Sequence, residues 1–124
     1  MGADINLTDN FGGTPLTMAS ENGHNDVVEL LIKSNVDPNL QDKDRETAIY
    51  RACENGHLDV VTTLLNSGAD PNIATNDGVT PLLVASQNGH KNVVELLLKC
   101  NVDPHVQDND GETCLLYTSD AADE

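Results

Sequence analysis

The chain is short of almost everything from which a compact single core is usually built. Its 124 residues include no Trp, one Phe and two Tyr. Large rings supply much of the buried area in ordinary cores, so this composition calls for a core of small aliphatic side chains. Positive charge is equally scarce: 6 Lys and Arg against 21 Asp and Glu give a formal net charge of −15. Such a surface repels nucleic acid and anionic membranes, and neither is expected as a partner. No apolar run approaches the roughly 20 residues that cross a bilayer, and no charged-then-apolar stretch opens the sequence. The three cysteines, Cys53, Cys100 and Cys114, are odd in number and scattered. That argues against a disulfide framework and for a reducing compartment. The expected location is the cytoplasm, with the nucleus as the alternative.

What the chain does have is a period. Thr14, Thr47, Thr80 and Thr113 are evenly spaced, as are Asp4, Asp37, Asp70 and Asp103, and every interval is 33 residues. Gly23-His24, Gly56-His57 and Gly89-His90 keep the same step. Self-similarity at this spacing predicts stacked copies of one small unit.

Within a unit, Thr14-Pro15 predicts a helix start, with Thr as cap and Pro at the first helical position. Gly23 ends that helix after about two turns, because Gly accepts the left-handed conformation of a helix end. A second helix follows His24. Val27, Val28, Leu30, Leu31 and Ile32 make it apolar nearly all round, which predicts burial on most sides by neighbouring copies. Glu29 with Lys33, and Glu95 with Lys99, are spaced to pair on the remaining face. Gly2, Asn35, Gly68 and Asn101 then share one position, and only Gly and Asn tolerate positive φ readily. Asp37-Pro38-Asn39 and Asp70-Pro71-Asn72 carry turn chemistry, so an extended β-turn or hairpin finger is predicted between units.

These motifs together resemble the ankyrin repeat. The clearest stretches are Thr80-Pro81-Leu82 through Ala85, Gly89-His90, Val93-Val94, Leu96-Leu97-Leu98 and the finger Gly68-Ala69-Asp70-Pro71-Asn72. The resemblance covers residues 2–113 and implies an all-α repeat solenoid of stacked helix-turn-helix units with β-hairpin or β-turn fingers. It places units at 9–41, 42–74 and 75–107, with the end of a preceding unit at 1–8 and the start of another at 108–113. Two departures stand out. Thr17, Tyr50 and Leu83 replace the His that usually follows Thr-Pro-Leu, which implies a less rigid array. Arg45 takes a finger Gly position and Ala48 a Pro position, making the middle copy the weakest match. With no polar capping unit visible, the segment is expected to be a fragment of a longer array and to be marginally stable or self-associating. Residues 114–124 break the pattern; they resemble the translation of a transposon-end sequencing adapter and are expected to be foreign to the array.

Residues suited to chemistry do not assemble into a site. His24, His57 and His90 are one unit apart, about 10 Å in a stack, too far to share an ion. Cys53 takes a slot held by Ser20 and Ser86, which predicts packing. Cys100, near a helix end, is expected to be partly exposed and oxidisable. Asp108, Asp110 and Glu112 lack a full calcium-ligand ladder. No catalytic residue, metal, cofactor or small-molecule substrate is expected, and an enzyme is the weakest reading.

The resemblance instead implies a protein-binding scaffold whose finger and first-helix residues line one concave face. The candidates are Asn10, Phe11 and Gly13; Lys43, Asp44 and Glu46; Asn76, Asp77 and Val79; and Glu21, Glu54 and Gln87 late in the first helices. Phe11, the sole Phe, is the candidate hot spot. The acids on this face favour a partner with a basic surface. The alternative is that these repeats form the targeting or regulatory part of a larger enzyme (a ubiquitin ligase, kinase or acyltransferase) or an ion channel.

Overall fold

The computed structural model describes residues 8–9 and 12–100. Among them are six helices: α1 (Pro15–Glu21), α2 (Asn25–Lys33), α3 (Ala48–Glu54), α4 (Leu58–Asn66), α5 (Pro81–Gln87) and α6 (Lys91–Lys99). Consecutive helices pair as α1–α2, α3–α4 and α5–α6. The pairs stack in sequence order, α1 on α3 on α5 and α2 on α4 on α6. The result is two rows of helices, an all-helical repeat solenoid. Residues 1–7, 10–11 and 101–124 lie outside the described part, and with them Asn10, Phe11, Gly2, Asn101, Cys114 and the proposed adapter segment.

Local chemistry sets each helix boundary. Thr14, Thr47 and Thr80 are N-caps whose hydroxyls accept from the backbone N–H three residues on, each at 3.2 Å. Thr17 adds the reciprocal bond, its Oγ1 accepting from Thr14 N–H at 2.8 Å. A complete capping box therefore stands where the family His is missing. Tyr50 and Leu83 close no such box. Gly23, Gly56 and Gly89, just past the first helix of each unit, have φ of 75°, 74° and 76°. Asn35 and Arg45 are the only non-Gly residues at positive φ among the described ones, at 66° and 64°, as their spacing predicts.

The fingers take the β-turn form. Asp42 N–H donates to Glu46 O at 3.0 Å and Arg45 N–H to Asp42 O at 2.9 Å, and the flanking fingers repeat both bonds. No strand is present among the described residues. Each loop is short and closes on itself, so no ladder extends along it.

The core is aliphatic, as the scarcity of rings requires. Leu16, Ile49, Leu64, Leu82, Leu83, Leu97, Val28, Val60, Val61 and Val93 are buried almost completely. Each such side chain contributes about 1.5–3 kcal/mol. The expectation that second-row helices are buried on most sides is corrected by the end units. Val27 is 42% exposed and Leu30 64%, whereas Val60, in register with Val27, is fully buried. Val93 on α6 is buried as well: the position is covered in α4 and α6, which each follow a described unit, and shown in α2, which does not. Leu98 on α6 is likewise exposed. Neither Glu29–Lys33 nor Glu95–Lys99 forms an ion pair. Both pairs sit in exposed helix faces, where such contacts contribute little.

Candidate interaction face

Conserving the frame between units falls to a set of links repeated at each junction. His57 Nε2 lies 3.0 Å from Glu21 O, and His90 Nε2 2.9 Å from Glu54 O. Asn55 and Asn88 donate side-chain N–H to the same two carbonyls, at 3.3 and 2.9 Å. These carbonyls are at a helix end, where backbone acceptors lack intrahelical partners. The next unit supplies them. The imidazoles occupy the space beside the preceding helix end: a Cβ built on Gly23 would lie 2.7 Å from His57 Nδ1, and one on Gly56 2.6 Å from His90 Nδ1. His57 and His90 are therefore structural staples between units. Among the described residues no group of His, Cys, Asp and Glu is placed to hold a metal ion.

Finger-to-finger contacts fix the other edge. Asn76 N–H donates to Asp44 O at 3.0 Å, and its side chain donates to Lys43 O at 3.1 Å. Further back, Asn39 Oδ1 accepts from Asp70 N–H at 2.7 Å. The third finger tip is thereby tied to the second.

One residue missed by sequence reasoning sits at the centre of this edge. Arg51 of α3 reaches Asp42 Oδ2 at 2.6 Å, Glu21 Oε1 at 2.9 Å and Glu46 Oε1 at 2.8 Å. Three carboxylates, one from α1 and two from the second finger, thus converge on one guanidinium. Asp42 is the buried anchor, its side chain 1% exposed. Its other oxygen accepts from Asp44 and Glu46 N–H, both at 2.9 Å, so it shapes the finger while it pairs. Burial works against the Arg51 charge. The Asp42 hydrogen bond and the neighbouring carboxylates outweigh it and hold the guanidinium above its usual range. Glu46 is the weaker partner. Arg51 Nε makes no aligned hydrogen bond despite the short distance, and burial, outweighing Arg51, raises the Glu46 carboxyl above 4.5. The signal available in the sequence was a lone Arg at the position of Met18 and Val84. Only the stacking of α1 on α3 shows what it meets.

The candidate residues divide by surroundings. Lys43, Asp44, Asn76, Asp77 and Gln87 are exposed, and Glu54 is half-buried. Glu21 and Glu46 are engaged by Arg51. Gly13 is buried, its N–H bonded to Asp9 Oδ1 at 2.8 Å, and Val79 packs against the core. Burial first, then the charges of Glu54, Glu46 and Asp77, push the Tyr50 phenol well above its usual range. Cys53 is completely buried, and burial pushes its thiol far up, which suits packing and not nucleophilic attack. In the same slot Ser20 and Ser86 bury hydroxyls with no hydrogen-bond partner. Cys100 is exposed, as expected.

No described helix is long and apolar enough to cross a membrane. No curated protein is matched by the chain. Two family models do match, ankyrin repeats (3 copies) over residues 1–75 and ankyrin repeats (many copies) over residues 64–115. With the capped helix pairs, the positive-φ helix ends and the histidine staples all in one register, the chain belongs to the ankyrin-repeat family.

Proposed function

We propose that this chain is a protein-binding module that takes its partner on the face formed by the fingers and the first-row helices. Ankyrin repeats are in general protein–protein interaction units and are typically non-catalytic. The observation that carries the choice of face is the tie between the second and third finger tips. Asn76 and Arg51 immobilise the backbone and two acids across the junctions, while Lys43, Asp44, Asp77 and Gln87 remain exposed beside them. A surface ordered before binding loses less entropy on complex formation. The exposed acids of this face favour a basic partner surface, and their effect falls mainly on association rate and salt dependence. We infer a cytoplasmic or nuclear location from the free thiols of Cys53 and Cys100.

The lysines give a direct test. Lys43 is on a finger, whereas Lys33, Lys91 and Lys99 lie on second-row helices. Amine cross-linking of the bound partner, followed by mass spectrometry, is expected to join it through Lys43, with affinity falling as salt rises. Cross-links confined to Lys33, Lys91 and Lys99 would overturn the assignment of the face.

A further inference from the structure

Each first-row helix ends in an Asn-Gly pair: Asn22-Gly23, Asn55-Gly56 and Asn88-Gly89. Asn followed by Gly is open to spontaneous ring closure, because Gly leaves its nitrogen unshielded and its backbone free to turn. The Gly nitrogen bonds to the Asn Cγ, the Cγ–Nδ2 bond breaks, and ammonia leaves with the Gly N–H proton. Water then opens either C–N bond of the succinimide. One product is Asp; the other is isoaspartate, with the main chain rerouted through Cβ and Cγ.

The fold holds these pairs in an unreactive geometry. Closure needs the Gly nitrogen on the side of Cβ. At ψ of 1° for Asn22 and 2° for Asn55 it is eclipsed with the residue's own nitrogen instead. The N–H groups of Gly23 and Gly56 are also bonded, to Ser20 O and Cys53 O, each at 3.3 Å. Reaction therefore waits on local opening of the helix end, and its rate reports how often that end opens.

Asn22 and Asn55 are a matched pair. Both lie in the tetrapeptide Glu-Asn-Gly-His, at 21–24 and 54–57. Both are exposed, and each following Gly lies against the imidazole of the next unit. The preceding unit makes the difference. Asn55 Nδ2 donates to Glu21 O at 3.3 Å as well as to Arg51 O of its own helix at 3.0 Å, and the His57 ring reaches Glu21 O too. Among the described residues Asn22 Nδ2 donates only to Met18 O of its own helix, at 2.9 Å, and His24 makes no counterpart of the His57 link. The end of α3 is thus fastened from both neighbouring units and the end of α1 from one. We propose that Asn22 is a site of spontaneous isoaspartate formation, reacting ahead of Asn55, and that the product unfastens the first unit from the second. Isoaspartate adds a main-chain atom next to Gly23, where a Cβ would already lie 2.7 Å from His57 Nδ1. It also puts a carboxylate at a helix C-terminus, where negative charge is unfavourable. The His57 link to Glu21 O is the contact that gives way.

The full chain is aged at neutral pH in ¹⁸O-labelled water, in native buffer and in urea. Peptide mapping with electron-transfer fragmentation then counts Asp and isoaspartate at positions 22 and 55. In urea the two sites are expected to react at equal rates, because their immediate neighbours are identical. In native buffer Asn22 is expected to react about fivefold faster, the effect of one cross-junction hydrogen bond that only Asn55 has. Equal native rates, a faster Asn55, or the same inequality in urea would overturn the site. The isoaspartyl form, separated by ion exchange, is expected to exchange its α1 and α2 amides about fivefold faster or more, with α5 and α6 unchanged. Asn22→Gln, whose longer side chain closes a ring far less readily, is expected to age without that change. If the isoaspartyl form exchanges like the fresh chain, or if aged Asn22→Gln loosens equally, the first junction does not depend on position 22 and that half of the proposal falls.

Discussion

Arg45 offers the cleanest energetic test of how the repeat governs this chain. It occupies the finger position that Gly12 and Gly78 hold in the neighbouring units, with φ of 64° against their 81° and 80°. For a residue with a Cβ this conformation costs about 1–2 kcal/mol. Gly at the site removes that strain but enlarges the freedom of the unfolded chain by about 0.5–1 kcal/mol. The balance for Arg45→Gly is a gain of about 0.5–1 kcal/mol, which for a chain of this size raises Tm by about 2–4 °C. Nothing in the fold opposes the change: Arg45 is exposed, joins none of the ion pairs described, and its bonds run through the backbone, N–H to Asp42 O and O to Gln41 Nε2. The side-chain charge is a separate variable. Arg45→Ala removes the charge and keeps the strain, so it should give no gain. Thermal melts by far-UV circular dichroism, at two protein concentrations to detect self-association, separate the two contributions. An unchanged or lowered Tm for Arg45→Gly, or an equal rise for Arg45→Ala, would refute the strain argument.

Two further outcomes follow from the junctions. Arg51→Met strands Asp42 as a buried carboxylate and is expected to cost about 2–4 kcal/mol, whereas Glu46→Gln is expected to cost little at neutral pH. The Glu46 pKa is raised in the fold, so its stabilising contribution is complete below 4.5 and is lost as pH rises through the raised value. Urea titrations across about pH 4–7 should therefore show Glu46→Gln gaining on the parent chain as pH rises; an equal loss for Glu46→Gln and Arg51→Met at neutral pH would contradict this. At the helix ends, Gly56→Ala meets both positive φ and the His90 ring, which its bond to Glu54 O holds in place, and is expected to cost about 2–3 kcal/mol. Gly89→Ala meets no neighbour within 4 Å and should cost about 1–2 kcal/mol, the φ strain alone. Equal urea midpoints for the two variants would show that the imidazole yields freely.

The period, the caps and the helix ends were all legible in the amino-acid sequence. Each depends on a residue's own preference: Thr for a helix start, Gly or Asn for positive φ, Leu and Val for burial. Repetition in register multiplied those weak local signals, and the positive φ of Asn35 and Arg45 was readable for the same reason. What the sequence could not decide is which side chains meet across a junction. Arg51 and Glu21 are 30 residues apart, and His57 and the Glu21 carbonyl 36 apart; only stacking brings them together. Exposure was likewise beyond it. Val27 and Val60 are the same residue in the same motif, yet one is 42% exposed and the other buried, because burial depends on which units flank it. The middle unit departs furthest from the repeat pattern but is flanked on both sides, and it holds Arg51 and Tyr50. Local preference wrote the unit, and the order of stacking decided which of its side chains are hidden, paired or left for a partner.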